Sequence, residues 1–164
     1  MNRITSVVIV PLFKENSKTY LLFTKRNQNL KHHPGEISFP GGKIEEGESL
    51  IEAAKRETME EINCPVVKII DTLKPVMTLV SDHLILPFVA FIDIQNLVPH
   101  DMEVESVHII SLEELLKKKM KKKRFPHRRL FITSPVWDFK NIYVWGATGR
   151  ILYDFKRWLK KHPQ

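Results

Sequence analysis

The sequence predicts an α/β fold. Three observations carry that reading. Short apolar runs rich in β-branched residues, such as residues 4–13 and 84–94, read as buried strands. A loop ending in Gly41 and Gly42 leads to a capped amphipathic helix that starts after Ser49 and stops near Asn63. A second amphipathic helix, residues 149–161, closes the chain.

Taken in order, residues 4–13 are apolar almost throughout and form the first strand. Residues 14–18 are a polar turn, and residues 20–25 are a second strand ending at Arg26, so the two make a hairpin. Residues 27–42 are a loop with a short strand at 37–39, and the glycine pair at its end lets the backbone approach a ligand closely. Ser49 is a good N-cap, and Glu52 three residues later completes a capping box. After the helix, residues 66–73, 76–80 and 84–94 read as strands, with a break at Ser81, Asp82 and His83. The last of them is nearly continuous in apolar residues, as a central strand is.

Residues 95–105 are a polar loop that carries Asp101, Glu103 and Glu105, with Asp93 just before it. Residues 107–110 are a strand. Ser111 caps a short helix, where Glu114 would complete a second capping box. Residues 129–133 and 142–145 are short strands. The closing helix turns Ile151, Leu152, Phe155, Trp158 and Leu159 inward. There is no internal repeat and no interdomain linker, so residues 1–164 are expected to form one domain.

A chain of 164 residues can bury a proper core, and a hydrophobic fraction of 43% is enough to fill one. No apolar run approaches the roughly 20 residues of a membrane span. The first ten residues hold one cation and no small-residue cleavage site, so they read as a strand and not as a signal peptide. The final His-Pro-Gln matches no targeting signal. The single cysteine, Cys64, fits a reducing compartment, and a cytoplasmic protein is expected. The net charge of +7 is local: residues 117–124, KKKMKKKR, hold seven cations, and the remainder balances at zero (+7 minus 7).

The helix after Ser49 is physically odd. At about 100° per residue, Leu50, Ala54, Glu57 and Glu61 share one side, flanked by Ala53 and Glu60. That is the side a helix normally turns toward its protein. Two carboxylates about 5 Å apart repel by roughly 3 kcal/mol at an effective dielectric near 20. They also lie toward the helix C-terminus, where the macrodipole disfavours negative charge. A bound divalent cation would reverse the cost, and Mg²⁺ suits hard oxygen donors shared with a substrate phosphate. The plain alternative is a solvated acidic face. Arg56 and Glu52, four apart on a neighbouring face, are placed to pair.

The spacing of Gly42, Glu48, Arg56, Glu57, Glu60 and Glu61 resembles the Nudix box: glycine, five residues, Glu, seven residues, Arg-Glu, aliphatic, any, Glu-Glu, any, Gly, aliphatic. Thr58 stands where that pattern has an aliphatic residue. Asn63 stands where it has glycine, and Asn is the next-best residue for a left-handed C-cap. The resemblance implies an α/β/α sandwich with a central mixed sheet. It also implies hydrolysis of nucleoside diphosphates linked to another moiety, with Mg²⁺ or Mn²⁺ as cofactor. By the same resemblance, Glu57 and Glu61 are metal ligands, Glu60 is a third or a water-mediated one, and the Gly41 carbonyl contributes another. Arg56 would orient the glutamates, and Glu48 would hold the loop–helix junction. The general base is Glu60 or, second, Glu103, which could equally be a plain surface acid.

A second resemblance precedes the box. Leu22, Thr24 and Arg26, then Gly35, then Phe39-Pro40-Gly41-Gly42 are similar to the motif of coenzyme A pyrophosphatases. Asn27 and Lys31 stand where that motif has a small residue and a second arginine. Val144-Trp145-Gly146-Ala147-Thr148 and Arg150-Ile151-Leu152 resemble the start of that family's C-terminal helix. The implied substrate is coenzyme A or a derivative, cleaved to 3′,5′-ADP and 4′-phosphopantetheine. Arg26 and Lys31 would meet its phosphates, although Arg26 could simply end a strand. Gly42 would lie against the substrate. Phe39 would pack on adenine or pantetheine, or else sit in the core.

Other features have competing readings. His32 and His33 are adjacent with no nearby third ligand, which suits ordinary loop residues better than a metal site. The lysine run is a solvated helix end or loop, a positive rim that draws in a polyanion, or a nucleic-acid footprint. Aromatic residues are not interleaved with its lysines, so nucleic acid is not the expected partner. A small phosphate-containing molecule is, with no membrane, and a homodimer stays open. Two rivals remain: a Nudix pyrophosphatase for a nucleoside triphosphate, nucleotide sugar or dinucleotide, and a non-catalytic Nudix module that binds RNA or protein.

Overall fold

Ser6–Glu15 (β1) and Lys18–Arg26 (β2) pair antiparallel in the computed structural model of the chain, which describes residues 3–78, 83–127 and 130–162. The expected break at Ser81 and Asp82, the end of the strand expected at 76–80, Arg129 and the last two residues lie outside these. Two residues with positive φ, Asn16 at 47° and Ser17 at 63°, make the hairpin turn, as a two-residue loop between right-twisted strands requires.

Next come Ile37–Ser38 (β3) and Gly41–Lys43 (β4), and then the long helix Leu50–Ile62 (α1). The expected capping box is formed: Ser49 Oγ accepts from the Glu52 N–H at 3.3 Å, and Glu52 Oε2 accepts from the Ser49 N–H at 2.8 Å. Asn63 ends the helix at φ 53° and ψ 38°, the left-handed cap that its side chain tolerates.

Val66–Thr72 (β5), Val76–Met77 (β6), Leu84–Ile92 (β7) and Val104–Ser111 (β8) complete the large sheet. Its main order is β3-β2-β1-β7-β5, with β4 on β1, β6 on β7 and β8 on β2. β1 and β7 run parallel from Ser6↔Ile85 to Leu12↔Phe91, and the other pairs are antiparallel, so the sheet is mixed.

Side-chain alternation along β1 divides the core between the two faces of the sheet. Val7 and Ile9, with Phe88, Ala90 and Ile92 of β7, pack on Ala53, Ala54 and Ile62 of α1. Val10, Leu12 and Val89 face the other way. There they meet the short helix Leu112–Lys117 (α2) and the closing helix Gly146–Lys161 (α3) through Leu115, Ile151, Leu152, Phe155 and Leu159. The sheet thus lies between α1 and the α2/α3 layer, the sandwich that the resemblance implied. Ser111 caps α2 by accepting from the Glu114 N–H at 3.0 Å. α3 starts three residues earlier than the apolar periodicity suggested.

The lysine run is where the structure departs most from expectation. Lys117 ends α2, but Lys121–His127 (β9) is a strand. It pairs with Leu130–Asp138 (β10), which in turn pairs with Tyr143–Val144 (β11). Their order is β11-β10-β9, so the lysines lie on an edge strand, where charge opposes the addition of a further strand. Nor are the cations apart from aromatic residues. Lys123 Nζ stands 5.8 Å from the ring centres of both Phe125 and Tyr143, and the Arg124 guanidinium is 5.0 Å from that of Phe131. Their long stems cover apolar surface, so charge in the sequence concealed a strand.

Candidate active site

Two glycines bring the backbone against α1. Gly41 and Gly42 of β4 pair with Val8 and Val7 of β1. Gly41 has a φ of +150°, and a Cβ there would strike the Val7 carbonyl. A Cβ on Gly42 would occupy the space that the Glu57 carboxylate fills. Glycine is required at both positions by close approach.

Arg56 ties the loop to the helix. Its Nη2 and Nε donate to the two oxygens of Glu48, at 2.7 and 3.1 Å, a bidentate pair. Its Nη1 donates to Glu57 and to Glu60, both at 3.0 Å, and Nη2 also reaches the Lys43 carbonyl at 3.1 Å. Glu48 further accepts from the Glu45 N–H at 2.7 Å and so holds the loop–helix junction. The bond from Arg56 holds the Glu48 carboxyl below the usual range. The pair expected between Arg56 and Glu52 is absent, because the Glu52 carboxylate closes the capping box instead.

The carboxylates behind the glycines are short of positive charge. Burial raises the Glu57 carboxyl above its ordinary value; the Arg56 bond opposes this, and Glu60 and Glu103 add to it. Glu61 is only 5% exposed. Burial, then the charge on Glu57, push its carboxyl up to about 8, against the pull of Arg26 and a hydrogen bond to the Gly41 backbone. Glu103 is exposed, yet its charge bears on both Glu57 and Glu61. Its loop is stitched to the end of α1, through His100 N–H to the Glu61 carbonyl at 2.8 Å and Glu103 N–H to the His100 carbonyl at 2.9 Å.

A cavity of about 390 Å³ opens beside the glycines, a size that takes small molecules. Arg26, Gly41 and Gly42 line it, together with Lys43 and His33. The Arg26 Nε has no hydrogen-bond partner among the described residues. Two residues offered for the substrate stand outside the cavity lining, Phe39 by taking the core alternative of its two readings and Lys31 as a correction. Phe39 is 3% exposed and stacks on Phe23 at 5.0 Å, so it is a core residue. Lys31 is exposed and lies outside the cavity lining, because it stands between the turns at Asn27–Leu30 and His33–Glu36 that fold the loop back. The far wall, with Phe125, Ser134 and Trp145, was not anticipated, since it belongs to the concealed β9 and its neighbours.

A divalent cation suits the chemistry of these donors. They are hard oxygens, and the buried Glu61 carboxylate has a charge that only a proton or a cation can offset. Among the described residues, no three acidic, histidine or cysteine side chains stand in a geometry that would already hold a metal. Glu57 and Glu60 are instead turned to Arg56.

The NUDIX domain family model matches residues 2–131. The chain belongs to the Nudix family. Nudix hydrolase 3 of Caenorhabditis elegans is 36% identical to it over 89% of this chain and 69% of its own length. A peroxisomal coenzyme A diphosphatase of Mus musculus is also 36% identical, over 66% of this chain and 48% of its own length. Among solved structures, a MutT/nudix family protein from Enterococcus faecalis superposes with a TM-score of 0.66, covering 98% of this chain and 64% of that one at 18% identity. That likeness shows the fold. As a Nudix hydrolase, the chain has a family chemistry of pyrophosphate hydrolysis in small phosphate-containing substrates, generally with Mg²⁺ or Mn²⁺. No helix among the described residues is long and apolar enough to cross a membrane.

Proposed function

We propose that this chain hydrolyses the pyrophosphate bond of coenzyme A or its derivatives, giving 3′,5′-ADP and 4′-phosphopantetheine. The observation that carries the pyrophosphatase part is the charge-deficient pair Glu57 and Glu61, set behind Gly41 and Gly42 at the edge of the cavity. The coenzyme A part is supported by the Leu22-Thr24-Arg26 and Phe39-Gly42 motif and by the relative that carries that activity in its name. A reducing compartment such as the cytoplasm suits the buried Cys64 thiol.

In this reading Glu57 and Glu61 hold Mg²⁺ or Mn²⁺, with Glu60 and the Gly41 carbonyl as further ligands. The metal, when bound, neutralises charge on the phosphates and activates water. Arg56 positions Glu57 and Glu60. Arg26, ending β2 inside the cavity, meets a substrate phosphate. Of the two candidate bases, Glu103 is favoured: its charge bears on both Glu57 and Glu61, whereas Glu60 accepts from Arg56. Glu103 takes a proton from the attacking water as the anhydride P–O bond breaks.

The test is incubation with coenzyme A and Mg²⁺ or Mn²⁺, reading 3′,5′-ADP by chromatography, with Glu57→Gln and Glu103→Gln as controls. Product that disappears in the variants is expected. Turnover of other nucleotides but not of coenzyme A would keep the hydrolase and discard this substrate. No turnover of any pyrophosphate compound would sink the reading.

A further inference from the structure

The wall of the cavity opposite the glycines has polar groups that the proposed metal chemistry does not use. Ser134 of β10 is 1% exposed, and its hydroxyl has no hydrogen-bond partner among the described residues. It lines the cavity. Beside it, α3 begins without a side-chain cap, since its N-cap is Trp145, and without an acid in its first turn. Gly146, Ala147 and Thr148 line the same cavity, and their amides precede the first intrahelical bond, which Gly149 donates to the Trp145 carbonyl at 2.9 Å. The space beside Gly146 is open. The Pro135 carbonyl packs at Gly149, so Ser134 and the first turn of α3 are neighbours. Of the described lining residues, only Glu36 is acidic, and it pairs with His33 at 3.1 Å, while Arg26 and Lys43 are cations.

We propose that Ser134 and the first turn of α3 form a second anion subsite, which takes a phosphomonoester that the substrate carries apart from its scissile pyrophosphate. A 16-residue helix presents free amides and the positive end of its dipole, and both favour an anion. Water would satisfy the hydroxyl and the amides but has no net charge for the helix dipole to stabilise. An apolar arm placed there would leave hydroxyl and amides buried and unpaired. The Trp145 ring, 37% exposed and stacked on Phe125 at 5.2 Å, offers a flat apolar face at the same wall. A nucleotide with a second phosphate on its ribose has the matching chemistry. The inference rests on the pyrophosphatase reading above and sharpens its substrate: the 3′-phosphate of coenzyme A is such a group.

The experiment is a calorimetric titration of the full chain, in EDTA, with 3′,5′-ADP and with 5′-AMP. The wild type is expected to bind 3′,5′-ADP at least about tenfold more tightly, the size of one hydrogen bond to a charged group. Ser134→Ala should cut that preference several-fold. Thr148→Asp should abolish it, because a carboxylate fills the site, while an acid in the first turn stabilises the helix and keeps the fold. Equal affinity for the two nucleotides, no binding of either, or a preference that survives both variants would overturn the subsite. If the preference holds and coenzyme A is not hydrolysed, the substrate proposal fails and the subsite stands. If coenzyme A is hydrolysed and the preference is absent, the subsite alone falls.

Discussion

Gly42 lies so close to Glu57 that the carboxylate fills the space a Cβ would need. The glycine of the box therefore has a steric task, and its φ is not in the left-handed region. It lets an acidic side chain of α1 lie against β4, beside the cavity. Gly42→Ala should push Glu57 aside, with a displacement near 1 Å that costs roughly 100-fold in kcat/KM. Overpacking should lower stability by about 1–3 kcal/mol. Kinetics and thermal melts check both, and an alanine variant with normal turnover would refute the steric role.

Arg56 bridges Glu48, Glu57 and Glu60 with one planar group. Lysine has the charge but not the fork. Arg56→Lys should weaken apparent affinity for Mg²⁺ or Mn²⁺ by about 10–100-fold, as loss of a residue that orients metal ligands does. The readout is the metal concentration at half-maximal rate. A variant that loses rate at saturating metal, with that midpoint unmoved, would show that Arg56 acts elsewhere.

Thr58 is fully buried where the family pattern has an aliphatic residue, and its hydroxyl donates to the Ala54 carbonyl at 2.7 Å, one turn back. Its polar atom is satisfied locally, which explains how the substitution is tolerated. Thr58→Val removes a donor and strands no partner, since Ala54 is a helix carbonyl. Stability should stay within about 1 kcal/mol of the wild type and kcat/KM should be unchanged. A large loss in denaturant unfolding would mean that the hydroxyl has a further role.

Much of this was legible in the sequence. The capping box at Ser49 and Glu52, the left-handed Asn63 and the nearly continuous apolar run of β1 follow from local rules, and the structure repeats them. The candidate site was legible to the extent that its spacing lies within one loop and one helix. Phe39 was not, because whether an aromatic side chain faces a ligand or the core depends on Phe23, far away in sequence. β9 was hidden for another reason. Its lysines mask a strand that is held by pairing to β10 and by stems lying over aromatic rings, neither of which periodicity reports.

The Glu61 carboxyl ties stability to pH and to metal. In an unfolded chain it loses its proton near 4.5, whereas in the fold it keeps the proton until about 8. Below 4.5 both states are protonated and the group costs nothing. As pH rises from there, unfolding releases a proton, so the metal-free fold loses stability until about pH 8, where the loss is complete. At about 1.4 kcal/mol per pH unit the ceiling is about 5 kcal/mol. In EDTA the protein should therefore melt at a lower temperature at pH 8.5 than at pH 5.5, approximate settings either side of the titration. Saturating Mg²⁺ or Mn²⁺ should restore most of the difference, because a cation offsets the charge that burial exposes. Glu61→Gln should be more stable than the wild type in EDTA at high pH and should gain little from metal. Paired melts of the two proteins, with and without metal, measure this. A glutamine variant that melts below the wild type under metal-free alkaline conditions would show that the Glu61 charge is balanced within the fold.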